Sequence, residues 1–298
     1  MANFSRYHPL VNFIYFASVI FLTMFSVNPI LLGVSLIASI TYNLLISKKA
    51  ISWRNIGWYC IITIIIVFTN PLFGANGDTL LFSIGKVKFT KESLFYGLVI
   101  SLMFLAIWNW FKNYNIIMTS DKFLYLFGKQ LPATALIISM GLKLIPEYQH
   151  QITKINDVQT TLGLYHQKGI IKKIKARFKV LISLINWALE NSMETANAMK
   201  ARGYNVQRRT SFSIYKFTKR DLFLLILNIS SIIFLMFWGK NLINYQFYPT
   251  LEKITFSHSM LPSYVIMFVL MFLPVILELK ERIIWHYSSL KISVSNMN

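Results

Sequence analysis

The chain alternates long apolar runs with short polar breaks, and six of the runs approach the roughly 20 residues a helix needs to cross a hydrocarbon layer. They are Pro9–Phe25, Pro29–Ile46, Ile51–Phe68, Leu94–Phe111, Leu222–Trp238 and Met260–Leu279. Asn28 and Pro29 form a tight break between the first two, and Arg54 weakens the start of the third. Each run is continuous instead of alternating with period two, so each predicts an α-helix and not a barrel strand. Between the third and fourth, Asn70 to Lys91 opens on the turn-forming NPLFGANGD and continues as TLLFSIGKVKF, which is apolar but too short to span. A hairpin or an interfacial segment is expected there.

After the fourth run the pattern changes. Ser120-Asp121 starts a helix by side-chain capping, and Pro132 and Pro146 are expected to divide the next stretch into pieces too short to cross, a re-entrant or surface-lying pair. In KGIIKKIKARFKVLISLINW, the residues Ile170, Ile174, Phe178, Leu181 and Ile185 recur at spacings of three and four, while Lys168, Lys172, Lys173, Lys175 and Lys179 fill the remainder. That is an amphipathic helix built for an interface, either anionic headgroups or partner subunits. Trp187, Glu190 and Glu194 carry its register to ETANAMKARGYNVQRRT. There Ala196, Ala198, Met199 and Ala201 favour helix, Arg202 falls in the last turn, and Gly203 supplies the left-handed residue that ends it. A guanidinium is thereby held at a helix tip. Taken locally, it is also what an ordinary helix end looks like, with a cation complementing the dipole.

Composition makes the membrane reading firm. With 55% hydrophobic residues, 24 Phe, 7 Trp and 14% charged residues in 298, the chain is too apolar and aromatic for a soluble domain. It is an all-α integral membrane protein with about six transmembrane helices, read as residues 1–119, 120–220 and 221–298. The net charge of +19 does not indicate nucleic acid, because the cations lie between lipid-length segments and not on a soluble domain. Residues 143 to 220 hold 15 Lys and Arg against 4 Asp and Glu, a surplus of +11. Cytoplasmic loops carry such excess, so this block is expected inside, with Arg6, Lys48, Lys49, Lys280 and Arg282 placing both termini on the same side of the cell membrane. Arg6 flanks the first run without a small-residue cleavage pattern, which reads as a retained span. The single cysteine, Cys60, rules out an internal disulfide and a cysteine metal cluster and is expected as inert packing.

The chemistry of catalysis is missing. No GxxxxGK[ST] loop occurs, nor HExxH, nor GxSxG, nor paired Asp-rich motifs. The five histidines, His8, His150, His166, His258 and His286, have no ligand spacing, so no metal is expected. The runs contain almost no ionisable group, where a proton or ion pathway would use some.

Several short motifs then fall in one order along the chain: His8-Pro9-Leu10-Val11, Asn70-Pro71-Leu72-Phe73 with Gly77 and Thr79-Leu80-Leu81-Phe82, Ser120-Asp121 with Pro132, and Ile145-Pro146-Glu147. The most specific comes last, Ala198-Met199-Lys200-Ala201-Arg202-Gly203-Tyr204 followed by Arg209-Thr210. In these the chain resembles, nearly end to end, the transmembrane T component of energy-coupling factor transporters, the EcfT/CbiQ family. The resemblance implies a non-catalytic membrane scaffold that couples two cytoplasmic ABC-type ATPases to a separate S component capturing a vitamin or a metal ion. ATP and magnesium would be held by the ATPases, and this chain would hold no cofactor. It also implies that the 120–220 block contains two coupling helices, each ending in an arginine-bearing motif seated in one ATPase. The second motif is intact at Ala201, Arg202 and Gly203. The first falls by spacing on Thr161, Leu162 and Gly163, where leucine stands in the arginine's place, so apolar contact must substitute there. The S component would be held by apolar faces including Ile174, Phe178, Leu181 and Ile185. The rival readings are a membrane-embedded lipid-handling enzyme, its basic block collecting anionic headgroups, and an autonomous permease.

Overall fold

A computed structural model describes residues 3–47, 53–74, 77–84, 87–128, 130–163, 169–204, 215–239, 245, 247–249 and 261–295. A short 3-10 helix, Asn3–Arg6, leads into α1 (Pro9–Phe25), α2 (Pro29–Ile46) and α3 (Trp53–Phe73). The strands β1 (Leu80–Ile84) and β2 (Val87–Thr90) pair antiparallel, and α4 (Lys91–Ile117) follows. Then come α5 (Ser120–Gly128), α6 (Pro132–Thr161), α7 (Ile170–Ala201), α8 (Lys219–Trp238) and a final helix, α9, over Leu261–Ser295. The chain forms two compact units: residues 1–120 with 215–298, and residues 121–214.

Local chemistry sets the helix starts of the first unit. Pro9 and Pro29 take first-turn positions, where a missing N–H costs nothing, behind the caps His8 (Nδ1 accepting from Leu10 N, 3.2 Å) and Asn28 (Oδ1 accepting from Ile30 N, 3.0 Å). Thr218 and Asp221 form a reciprocal capping box at the start of α8. Among the described residues, five helices are long and apolar enough to cross a membrane: α2, α3 from Ile56, α4, α8, and α9 as far as His286. At 17 residues α1 reaches about 26 Å. Its core position against the others completes the set of about six expected.

Cross-contacts fix which way each helix runs. His8 N donates to Asp221 Oδ1 and Ser18 Oγ to Asn228 Oδ1, so α1 and α8 run parallel. Tyr59 meets Asn109 while a Cβ on Gly97 would meet Val67 and Asn70, so α3 and α4 run antiparallel. Trp110 Nε1 donates to Ser35 Oγ at 2.9 Å and Asn43 Nδ2 to Asn113 Oδ1 at 2.9 Å, so α2 and α4 run parallel. Arg282 donates to the Leu45 carbonyl near the end of α2. Hence Arg6, the end of α2, Ile117, the start of α8 and the 280s of α9 share one end of this bundle, and the β-hairpin lies at the other. Phe4, Tyr15, Phe16, Tyr42 and Trp110 fill its centre, with edge-on ring contacts between them.

The hairpin at Leu80–Thr90 bears out one of the two forms expected for that segment. Other expectations are corrected. Asn70-Pro71 does not open a turn, because α3 continues through Pro71 to Phe73. Pro132 divides the stretch as expected, opening α6 after α5 ends at Gly128, but Pro146 does not, since it lies inside that single 30-residue helix. One proline removes one ladder bond and bends a long helix without ending it when enough turns propagate on both sides. Helices α4 and α8 start before their apolar runs and so bring in the buried Glu92 and Asp221, while the buried Glu278 lies inside the run that forms α9. Cys60 is exposed on α3 and packs no core.

Candidate functional site

In the second unit α6 and α7 meet near their midpoints. Tyr148 sets its ring edge on Trp187 with centroids 5.7 Å apart, and Asn191 Nδ2 donates to Glu147 Oε1 at 3.5 Å. No residue of α6 is buried. The tips of both helices lie well beyond these contacts.

Those ends are where the sequence places its two motifs, and they share one backbone form. Helix α6 closes at Thr161, with Leu162 as cap at φ −75°, ψ 7° and Gly163 at φ 74°. Helix α7 closes at Ala201, with Arg202 as cap at φ −80°, ψ 8° and Gly203 at φ 75°. In both, the glycine N–H turns back to the carbonyl three residues earlier, Gly163 to Thr160 and Gly203 to Lys200, each at 3.0 Å. On α7 the Tyr204 N–H also reaches the Met199 carbonyl at 3.0 Å, completing the paired bonds of a Schellman cap. The left-handed glycine is a requirement here, because other residues reach that φ only with strain.

The side chains on this common shape differ. Lys200 lies in the last turn of α7 and Arg202 follows as an exposed cap, so this tip is cationic against the negative helix end. The last turn of α6 has no cation, and its cap, Leu162, is 73% exposed. Thr160 and Thr161 donate their hydroxyls to the carbonyls of Asn156 and Asp157, both at 2.7 Å, and so present methyl groups outward. One tip is therefore a charged knob and the other an apolar knob.

The two tips are not brought together. At 1.5 Å per residue, Thr161 lies about 20 Å beyond the Tyr148 contact and Ala201 about 21 Å beyond the Trp187 contact. The link from Leu162 to Ile170 can stretch about 28 Å at most, which keeps the start of α7 near the end of α6 and points the two C-terminal tips apart. Their separation is then about 30 to 40 Å. The stripe residues Ile174, Phe178, Leu181 and Ile185 are all exposed, and among the described side chains of α7 the buried ones are Ala176 and Val180. Lys48, Lys49, Lys168, Arg208, Arg209 and Thr210 lie outside the described residues.

A second cluster escapes sequence reasoning although its members are in view. Thr79 Oγ1 donates to Glu92 Oε1 at 2.6 Å, Ser93 Oγ donates to the Gly74 carbonyl at 3.3 Å, and a Cβ on Gly77 would stand 2.4 Å from Glu92 Oε2. Thr79 and Gly77 belong to a motif of the sequence. Glu92, which joins them, looks in sequence like a helix-start acid.

A bundle of apolar helices long enough to span, joined in sequence to a pair of long helices with exposed glycine-capped tips, defines a multi-pass membrane protein built to contact other subunits. Residues 3–212 match the family model described as CbiQ, cobalt transport protein. Relatives named energy-coupling factor transporter transmembrane protein EcfT include one from Lactococcus lactis subsp. cremoris, 27% identical over 66% of this chain and 79% of its own length. Another, from Brevibacillus brevis, is 28% identical over 77% of this chain and 90% of its own. A third, from Streptococcus equi subsp. equi, is 27% identical over 57% of this chain and 69% of its own. The chain belongs to the EcfT/CbiQ family, the membrane T components of energy-coupling factor transporters. It is a subunit of a multi-subunit membrane transporter and not a catalytic enzyme.

Proposed function

We propose that this chain couples two cytoplasmic ABC-type ATPases to a membrane S component during uptake of a vitamin or a metal ion, with α6 and α7 as the coupling helices. Thr161-Leu162-Gly163 seats one ATPase and Ala201-Arg202-Gly203 the other, while ATP and magnesium are held by those subunits and no cofactor by this chain. The exposed apolar face at Ile174, Phe178, Leu181 and Ile185 receives the S component. Both termini, the end of the bundle that carries them and the basic block face the cytoplasm across the cell membrane, in keeping with the lysine and arginine excess.

The observation that carries this reading is the congruence of the two tips: the same cap dihedrals and the same left-handed glycine occur twice, on ends about 30 to 40 Å apart. A separation of that size suits two separate bodies and not one clamp. Arginine adds a planar fork of donors that can grip a carboxylate or several carbonyls, so rotation of a seated ATPase moves the helix tip.

The test is ATP-driven uptake by vesicles containing the reconstituted complex. Arg202→Ala removes the fork and is expected to cost on the order of 2 to 5 kcal/mol in docking or coupling. Arg202→Lys keeps the charge without the fork and should recover only part of the rate. Wild-type uptake by the alanine variant would remove Arg202 from the coupling path.

A further inference from the structure

At the end of the first unit that carries the chain's N-terminus, the structure holds a cavity of about 450 Å³ lined by Arg6, Tyr7, Lys216, Thr218, Lys219, Arg220, Asp221 and Glu281. Three separate pieces of chain build it: the N-terminal turn, the approach and first turn of α8, and the far part of α9. Four of these side chains are cations and two are carboxylates. Asp221 is already committed, since its Oδ1 accepts from His8 N at 2.9 Å and its Oδ2 from Thr218 N at 2.9 Å and Thr218 Oγ1 at 2.7 Å. Its oxygens are taken by these neutral donors, but its charge remains and counts against the cations lining the cavity. With Glu281 this makes two carboxylates for four cations, a surplus of about two positive charges. Among the described residues the only ion pair is Arg282 with Glu278 at 3.9 Å, so none of Arg6, Lys216, Lys219 and Arg220 is paired.

The four cations are exposed, so water can solvate them, but a positive surplus gathered at one end of the bundle attracts an anion. The surroundings say which kind. Three of the cations stand immediately before the apolar run of α8, where Leu222, Phe223 and Ile226 are exposed, as are Phe217 between Lys216 and Thr218 and Ile283 on α9. Charge at the helix end followed at once by exposed apolar surface matches a molecule with an anionic head and hydrocarbon tails. A free phosphate or an acidic peptide would use the cations and leave the apolar rim unmatched. Tyr7 lines the same cavity, and burial, with Glu281 next in effect, raises its hydroxyl above the ordinary tyrosine value.

We propose that this cavity binds the phosphate headgroup of an anionic phospholipid, with Arg6, Lys216, Lys219 and Arg220 around the phosphate and the acyl chains along Leu222, Phe223 and Ile226. Basic pockets at the ends of transmembrane helices recognise such headgroups through just this combination of charge and apolar edge. The site ties the N-terminal turn to α8 and α9 through the lipid, so the lipid contributes to holding the bundle's end together.

Native mass spectrometry of the full chain in detergent tests this, with phosphatidylglycerol and phosphatidylcholine of identical acyl chains as probes. The wild-type protein should retain phosphatidylglycerol in preference to phosphatidylcholine. The triple variant Arg6→Gln, Lys219→Gln, Arg220→Gln should weaken phosphatidylglycerol binding roughly a hundredfold and leave phosphatidylcholine unchanged. The pair Arg6→Lys, Arg220→Lys should bind as wild type, which separates lost charge from lost fold, and Lys91→Gln at the other end of the bundle should change nothing. Unchanged phosphatidylglycerol retention in the triple variant would overturn the proposal. So would displacement of the lipid by inorganic phosphate, which makes the site one for a free anion, or by polyglutamate, which makes it a protein contact.

Discussion

Gly203 offers the sharpest separation of tip shape from tip chemistry. A Cβ added there would meet nothing within 4 Å, so replacing it introduces no clash, and the whole effect comes from the positive φ of 75°. For a non-glycine L-residue that conformation costs about 1 to 2 kcal/mol, less for asparagine and more for a β-branched side chain. Gly203→Ala should therefore shift the balance between the capped and the frayed last turn by about tenfold, breaking the bonds from Gly203 to Lys200 and from Tyr204 to Met199 and letting Arg202 wander. Because fraying of one end is local, global stability should fall by less than about 0.5 kcal/mol. The expected order of ATP-driven uptake in reconstituted vesicles is Gly203, then Gly203→Asn, then Gly203→Ala, then Gly203→Val, with the thermal midpoint in detergent flat across the series. Wild-type uptake by Gly203→Val would refute the claim that tip geometry matters. A falling midpoint in step with uptake would refute the claim that the effect is confined to the tip.

Two further outcomes are expected. Leu162→Asp puts a charge on the 73%-exposed apolar cap of α6, and on the proposed function it should remove one ATPase from the co-purified complex while a pulldown through the α7 side still recovers the other. Retention of both would show that this tip makes no apolar contact. Gly77→Ala forces its new methyl to 2.4 Å from Glu92 Oε2 and displaces the carboxylate that accepts from Thr79, at a cost of about 2 to 3 kcal/mol by detergent thermal unfolding. Combining it with Glu92→Ala should recover at least about 1 kcal/mol relative to additivity. Strict additivity of the two changes would show that they do not touch.

Much of the fold is legible in the sequence because its largest signals are one-dimensional. Apolar runs of lipid length, the short TLLFSIGKVKF pair and the glycine after Arg202 each write their structure into consecutive residues. Local signals mislead where a single residue competes with a cooperative element. Pro146 reads as a divider, yet a 30-residue helix absorbs the loss of one backbone bond. Asn70-Pro71 reads as a turn, yet α3 runs on through it to Phe73. The site divides the same way. The motif at Ala201-Arg202-Gly203 is contiguous and so stands out in one dimension. The Thr79–Glu92 contact spans 13 positions and the cation cavity joins residues 6, 216 to 221 and 281, associations that only packing creates.

The common shape and unlike chemistry of the two tips constrain how such a subunit can work. If the caps were incidental helix ends, nothing would require both to use a left-handed glycine directly after a cap with ψ near 8°; dipole complementarity would be satisfied by any cation nearby, and α6 has none in its last turn. The two tips thus share a backbone form and differ in the knob. A seat that accepts the form twice but offers carboxylates or carbonyls to Arg202 and apolar surface to Leu162 is a pair of related, non-identical seats. Exchange of the two knobs tests this directly. The double variant Leu162→Arg, Arg202→Leu leaves both glycines, both caps and the total charge in place, so two identical ATPase seats would support near-normal uptake, whereas two distinct ones would lose most of it. The swapped chain should accordingly assemble poorly, and restoring Arg202 alone should rescue it more than restoring Leu162 alone, because an unpaired guanidinium pressed into an apolar seat costs less than an unpaired seat acid left buried without its arginine.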